Sequence, residues 1–291
     1  MKKTTRTLAA LSLAATLTVS AVACSSPSVG GAAPARIPHV HDVAFDSDGA
    51  LLVGSHTGVY RLDLDSDEIS RVGQTTFDAM GLTVQSTTIL ASGHPDPANQ
   101  DHTFEAPNVG LVRYSDAGWE QVSLAGIADF HLLATSPAAP DFVLGLPSDR
   151  AVLVASEDGG QTWRDVGPLT ARDLSIDTMD AAVVTATTAD GLLISRDGGR
   201  TFTTAVNAPA LVVIAADPTT AEGVIGVDVD GIIWTGSTKQ GAVWSITGNA
   251  TGVAAAIAAN VDGLVAIADE GGVRVTTDAG NTWRTVIEAD W

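Results

Sequence analysis

From about residue 39 to the end of the chain, short apolar runs alternate with clusters of Gly, Asp, Asn, Ser and Thr. The runs have strand length: an Ala/Val stretch such as 253–259 is bounded by turn residues and is too short for a typical helix. In the last part of the chain the pattern predicts four strands, at 252–260, 263–269, 273–277 and 282–288. The same parse, carried backwards, gives units starting near His39, Asp78, Asp129, Arg172, Ala210 and Gly252. Six four-stranded units of about 40 residues have the spacing of propeller blades, so the expected fold is all-β, a six-bladed β-propeller over residues 37–291. The second unit is longer by a polar, turn-rich insertion at 95–108, which is predicted to be a loop.

An internal repeat supports this parse. Ser156-Glu157-Asp158-Gly159-Gly160-Gln161-Thr162-Trp163 recurs as Ser195-Arg196-Asp197-Gly198-Gly199-Arg200-Thr201-Phe202 and as Thr276-Thr277-Asp278-Ala279-Gly280-Asn281-Thr282-Trp283. Worn copies lie at 235–244 and at Ser115-Asp116-Ala117-Gly118-Trp119. The pattern S-x-D-x-G-x-T-W resembles the Asp-box (BNR) repeat. Its residue types suit a hairpin turn: the carboxylate accepts turn N–H groups, Gly supplies positive φ, and the aromatic residue packs the hairpin onto its sheet. The expected role of these aspartates is structural.

The start of the chain changes the picture of where the propeller works. Lys2, Lys3 and Arg6 precede an apolar stretch of small residues at 8–23, which ends in Ala21-Val22-Ala23-Cys24. This has the form of a secretory signal over residues 1–23, and Cys24 is the only cysteine in the chain. The junction resembles a bacterial lipobox, which implies lipidation of Cys24, followed by a flexible tether over 24–36. The expected location is therefore outside the cell membrane, held by a lipid anchor that is the only membrane contact. Beyond residue 23 the chain carries 12 Lys and Arg against 34 Asp and Glu, a formal charge near −22. Such a surface repels phosphate backbones and anionic headgroups, which argues against nucleic-acid partners. It attracts cations.

The candidate chemistry lies in the first half of the chain. All six histidines, His39, His41, His56, His94, His102 and His131, fall there. In a propeller, the starts of the inner strands and the loops between second and third strands share one face. That rule places the histidines on one sector around the mouth of the central channel, together with Asp42, Asp78, Met80 and Asp129. Strand alternation is expected to put His39 and His41 on the same side. Imidazoles suit Zn, Cu and Ni, a thioether favours Cu(I), and carboxylates supply further ligands. His39, His41, His94 and His131 are the expected ligands of one shared ion, Cu or Zn, with His56, Met80 and Asp78 as supporting groups. The bland alternative is a set of polar residues lining a wet channel.

The repeats also resemble those of sialidases, sortilin-like domains and photosystem assembly factors. Arg36-Ile37-Pro38 echoes an arginine signature near the start of sialidase domains, but the rest of that pattern is missing. A tyrosine nucleophile is expected late in such a chain, and here the tyrosines are Tyr60 and Tyr114. A closer resemblance covers about residues 37–135, through Ile37-Pro38-His39-Val40-His41, Gly54-Ser55-His56-Thr57-Gly58, Asp78-Ala79-Met80-Gly81, Ser92-Gly93-His94-Pro95-Asp96-Pro97 and Ala128-Asp129-Phe130-His131. These segments look like an uncharacterised group of exported bacterial Asp-box propellers, often labelled glycosyl hydrolases by repeat similarity alone. Three functions stay open: a metal-binding or small-ligand-binding lipoprotein, a glycoside hydrolase using carboxylates among Asp42, Asp78 and Asp129, and a protein-interaction platform in the cell envelope. The balance leans away from an enzyme.

Overall fold

Each unit of about 40 residues is too short to cover its own apolar faces, so the units fold as antiparallel sheets stacked face to face. The computed structural model describes residues 35–97 and 103–289, with side chains from residue 37 onward. Blade 1 comprises β2 (Val40–Phe45), β3 (Leu51–Ser55), β4 (Gly58–Leu62) and β5 (Ile69–Arg71). Blade 2 comprises β6 (Phe77–Gln85), β7 (Thr88–Pro95), β8 (Leu111–Ser115) and β9 (Gly118–Ser123). Blade 3 is β10 (Phe130–Thr135), β11 (Val143–Pro147), β12 (Val152–Ser156) and β13 (Arg164–Pro168). Blade 4 is β14 (Asp173–Ile176), β15 (Val184–Thr188), β16 (Gly191–Ser195) and β17 (Thr203–Thr204). Blade 5 is β18 (Leu211–Asp217), β19 (Gly223–Asp228), β20 (Ile232–Ser237) and β21 (Ser245–Asn249). Blade 6 is β22 (Ala256–Ala259), β23 (Val265–Asp269), β24 (Gly272–Thr276) and β25 (Arg284–Glu288). The result is a six-bladed β-propeller, as the repeat spacing predicts.

The apolar runs explain the core. Second strands lie between two packed faces, so they read as continuous hydrophobic runs rather than alternating ones. Every residue of β3, β11, β19 and β23 is buried. The ring closes in two ways. Ile37, Val40 and Leu51 share one cluster with Ala256, Val273 and Ile287, which joins blade 1 to blade 6. In addition, β1 (Ala35–Arg36) pairs parallel to β25, with Ala35 opposite Ile287 and Arg36 opposite Glu288. Residues 35 and 36, read from the sequence as the end of a tether, thus form the fifth strand of the last sheet. No helix among the described residues is long and apolar enough to cross a membrane.

The three strong repeat copies build one turn three times. Asp158 Oδ1 accepts the Thr162 N–H at 2.8 Å, while its Oδ2 accepts the Thr162 hydroxyl at 2.7 Å. Asp197 with Thr201, and Asp278 with Thr282, repeat both bonds at the same lengths. These bonds hold each aspartate at a pKa of about 2, with the threonine contributions the largest causes. In the last blade the strand limits fall within a few residues of the sequence parse, and the largest difference is at its start. Strand β22 begins at Ala256 rather than 252, because 251–255 form a bend tied down where Asp269 Oδ2 accepts the Thr251 N–H. Within the insertion, residues 98–102 lie outside the described residues, and Phe104 is buried edge-on against Phe77 with ring centroids 5.3 Å apart.

Candidate functional site

The inner strands do not run smoothly into the channel mouth. In β2 the pairing steps from Val40–Ser55 to Asp42–Gly54, which leaves His41 as an extra, bulged residue. In β6 the pairing steps from Ala79–Gly93 to Gly81–Ser92, so Met80 is bulged; in β10 the bulged residue is His131. A bulge bends the strand and re-aims a side chain. Here it turns the corresponding residue of three neighbouring blades toward the same place. His41, Met80 and His131 all line one cavity of about 640 Å³, whose far wall includes Arg172 and Ala255. These belong to blades 1, 2, 3, 4 and 6, so the cavity lies over the central channel.

His39 reaches the cluster by a different route from the one strand alternation suggests. It precedes β2 and has φ of +40°, a left-handed conformation that is uncommon for a non-glycine residue. Its ring nevertheless lies 4.8 Å from that of His41 and stacks on that of His56 at 4.7 Å. His56, in the turn after β3, places Nδ1 3.3 Å from His41 Nε2. The three imidazoles of His39, His41 and His56 offer ligand atoms within 4.8 Å of one another. Asp78 closes the group, with Oδ1 3.0 Å from His41 Nε2 and Oδ2 3.0 Å from His56 Nδ1.

A second group stands beside it. Asp129 Oδ2 lies 2.7 Å from His131 Nε2 and 3.3 Å from His94 Nε2, and it accepts the Ser148 hydroxyl at 2.8 Å. His94, Asp129 and His131 therefore form another set with ligand atoms within 4.8 Å. The two groups are neighbours through blade 2, where Asp78 on β6 and His94 on β7 are direct cross-strand partners. That ladder is tight. A Cβ on Gly93, which has φ of +147°, would meet the Asp78 carbonyl oxygen.

The electrostatics follow from these contacts. Burial alone would raise Asp78, but hydrogen bonding and charge from His41 and His56 outweigh it and hold its carboxyl below the usual range. Asp129 behaves alike: burial opposes, and His131, Ser148 and His94 prevail. The Asp129 contact in turn raises His131 against its own desolvation. His39 is lowered, first by desolvation and then by the neighbouring His41 and His56.

The four histidines expected to share one ion are thus divided, His39 and His41 in the first group and His94 and His131 in the second. His56 sits within the first group. Met80 lines the cavity wall. Asp42 belongs to neither group: its Oδ1 accepts the Val43 N–H at 2.8 Å and its Oδ2 accepts the Leu82 N–H at 2.9 Å. His102 and Cys24 lie outside the described residues. Sequence reasoning missed Ser148 and Arg172. Ser148 lies in the turn after β11 and Arg172 just before β14, with no motif around either; the one available signal was that Arg172 opens the fourth unit, at the place where the first opens with histidine.

No family model matches this chain, and no curated protein matches it. Among solved structures, an ancestral GH74 enzyme is 14% identical, with a TM-score of 0.57 over 88% of this chain and 39% of that one. The chain therefore spans well under half the length of that enzyme. A structure of a nidogen/laminin complex is 12% identical, with a TM-score of 0.62, over 79% of this chain and 89% of the matched one. At these identities the likeness is one of fold.

Proposed function

We propose that this is an exported Asp-box propeller, anchored through lipidated Cys24, that binds a copper or zinc ion at the mouth of its channel. One observation carries the reading: the ligand atoms of His39, His41 and His56 converge within 4.8 Å, with the Asp78 carboxylate 3.0 Å from two of them. Tetrahedral ligands at about 2.1 Å from a common ion stand roughly 3.4 Å apart, close to the spacing of His41, His56 and Asp78. Three imidazoles and one carboxylate are a donor set for Zn or Cu, and Met80 on the cavity wall adds a soft donor suited to Cu(I). The acidic surface would concentrate cations at the opening.

The carboxylates argue for this reading over a glycosidase. A hydrolase needs one carboxyl kept as an acid and another facing the sugar. Asp78 and Asp129 are held by imidazoles; Asp42 is kept as an acid by burial, but both its oxygens accept backbone amides and it does not line the cavity. The GH74 likeness supports the fold and adds no acid–base pair.

Titration calorimetry with Zn²⁺ and Cu²⁺ on protein purified without chelator tests the reading. His41→Ala is expected to weaken binding by at least tenfold while leaving the melting temperature nearly unchanged. Ligation needs neutral imidazole, so affinity is expected to fall as the solution is acidified and protons compete for the imidazole nitrogens. Absence of uptake of either ion by the wild-type chain would overturn the proposal and leave a pocket for a polar ligand.

A further inference from the structure

We infer that the channel mouth holds two ions, the second seated on His94, Asp129 and His131 beside the three-imidazole seat. This rests on the metal-binding reading above and extends it from one shared ion to a pair of chemically different seats.

The second group meets the requirements of a seat by itself. Two imidazole nitrogens, His94 Nε2 and His131 Nε2, approach one carboxylate oxygen of Asp129 at 3.3 and 2.7 Å. The Asp129 side chain is only 4% exposed, yet its other oxygen, Oδ1, is buried without a hydrogen-bond partner. A buried carboxylate oxygen left unpaired is costly, and a cation is one group that would satisfy it. The ring of His94 is also held from behind. His94 Nδ1 lies 3.4 Å from the Pro107 carbonyl oxygen, a backbone partner of the kind that turns the opposite nitrogen toward a ligated ion. The Ser148 hydroxyl donates to Asp129 Oδ2 and steadies the carboxylate.

The two seats differ in chemistry. The first offers three imidazoles with Asp78 alongside. The second offers two imidazoles and one carboxylate, leaving coordination positions free, a set suited to divalent Zn, Fe or Co. They are kept apart and yet adjacent by the Asp78–His94 cross-strand pair, because Asp78 belongs to one group and His94 to the other. Both open on the same cavity, the first through His39 and His41 and the second through His131.

Co²⁺ is the probe, because its visible absorption reports ligand number and its stoichiometry is read by elemental analysis after gel filtration. The wild-type chain is expected to bind two Co²⁺. The double variant His94→Ala/His131→Ala is expected to keep one, with the spectrum of the remaining seat unchanged. His41→Ala/His56→Ala is expected to keep the other. If alanine variants fail to fold, as judged by circular dichroism, the His94→Gln/His131→Gln pair takes their place and the same loss of one ion is expected. One Co²⁺ in the wild type, lost on changing either pair, means a single shared ion and overturns this inference while the metal-binding function stands. No Co²⁺, Zn²⁺ or Cu²⁺ in the wild type overturns both.

Discussion

Asp42 shows how a single carboxyl near the channel takes a structural role. Its two oxygens accept the Val43 and Leu82 amides, and Asp173 does the same with Leu174 and Ile214. Leu82 and Ile214 belong to the next blade in each case, so both aspartates staple one inner strand to its neighbour. Burial, followed by the charge of Asp173, pushes Asp42 up to about 8, and burial pushes Asp173 up to about 6. An unfolded carboxyl ionises near 3.9, so between about pH 4 and pH 8 the folded chain retains a proton that the unfolded chain has lost. Stability from these groups is therefore greatest below about pH 4 and declines as pH rises toward 8. Asp42→Asn is expected to flatten that decline, by up to a few kcal/mol across the window, in denaturant melts run at several pH values. A slope unchanged by the substitution would contradict the assignment. The position of Asp42 near the mouth was legible from the blade parse. Its partner was not, because Leu82 lies 40 residues away and is reached only once the blades stack.

The turns and bulges are the elements that carry this fold, and they were unequally visible in the sequence. The Ser/Thr-x-Asp-x-Gly-x-Thr turns announce themselves, because every side-chain bond of the aspartate and of the hydroxyl residue before it lies within eight positions. Each aspartate there has a depressed pKa of about 2, so its contribution is present above about pH 4 and lost as pH falls toward 2. This is opposite in sign to the inner-strand pair. Asp158→Ala or Asp197→Ala is expected to lower the melting temperature by a few degrees at neutral pH and to leave metal binding intact. Loss of binding at an unchanged melting temperature would contradict a purely structural role. The bulges left no such mark. His41, Met80 and His131 share no local motif, and period-two alternation gave the right company for His39 by the wrong geometry: one ring comes from a left-handed residue and the other from a bulge. Division of the histidines into two groups was equally hidden. It depends on the Asp78–His94 register across β6 and β7, which follows from the tight approach at Gly93.

At the scale of the whole molecule, six sheets are closed by a strand from the beginning of the chain. Because β1 pairs with β25, the described part of the chain begins at the outer edge of the blade 6 sheet. Under the proposed anchoring, Cys24→Ser is expected to shift the protein from the membrane fraction to the medium, with its metal binding intact. Retention in the membrane fraction would rule out the lipid anchor. The number of blades was legible because the 39- and 81-residue intervals between repeats stand near one and two periods. The closing strand was not, since two residues pairing with a segment 252 positions away carry no local signature.

The recurrent bulge has a consequence for how such a mouth acquires its chemistry. The same backbone position is occupied by His41 in blade 1, Met80 in blade 2, His131 in blade 3 and Val212 in blade 5. The ladder bonds on either side are made by main-chain atoms, so they do not depend on which side chain stands at the extra residue. Each of these four blades thus presents an interchangeable socket, and those of blades 1 to 3 stand at the rim of one cavity. A donor, a thioether or an inert aliphatic group is exchanged there by a single substitution, with the ring of sheets left as it was.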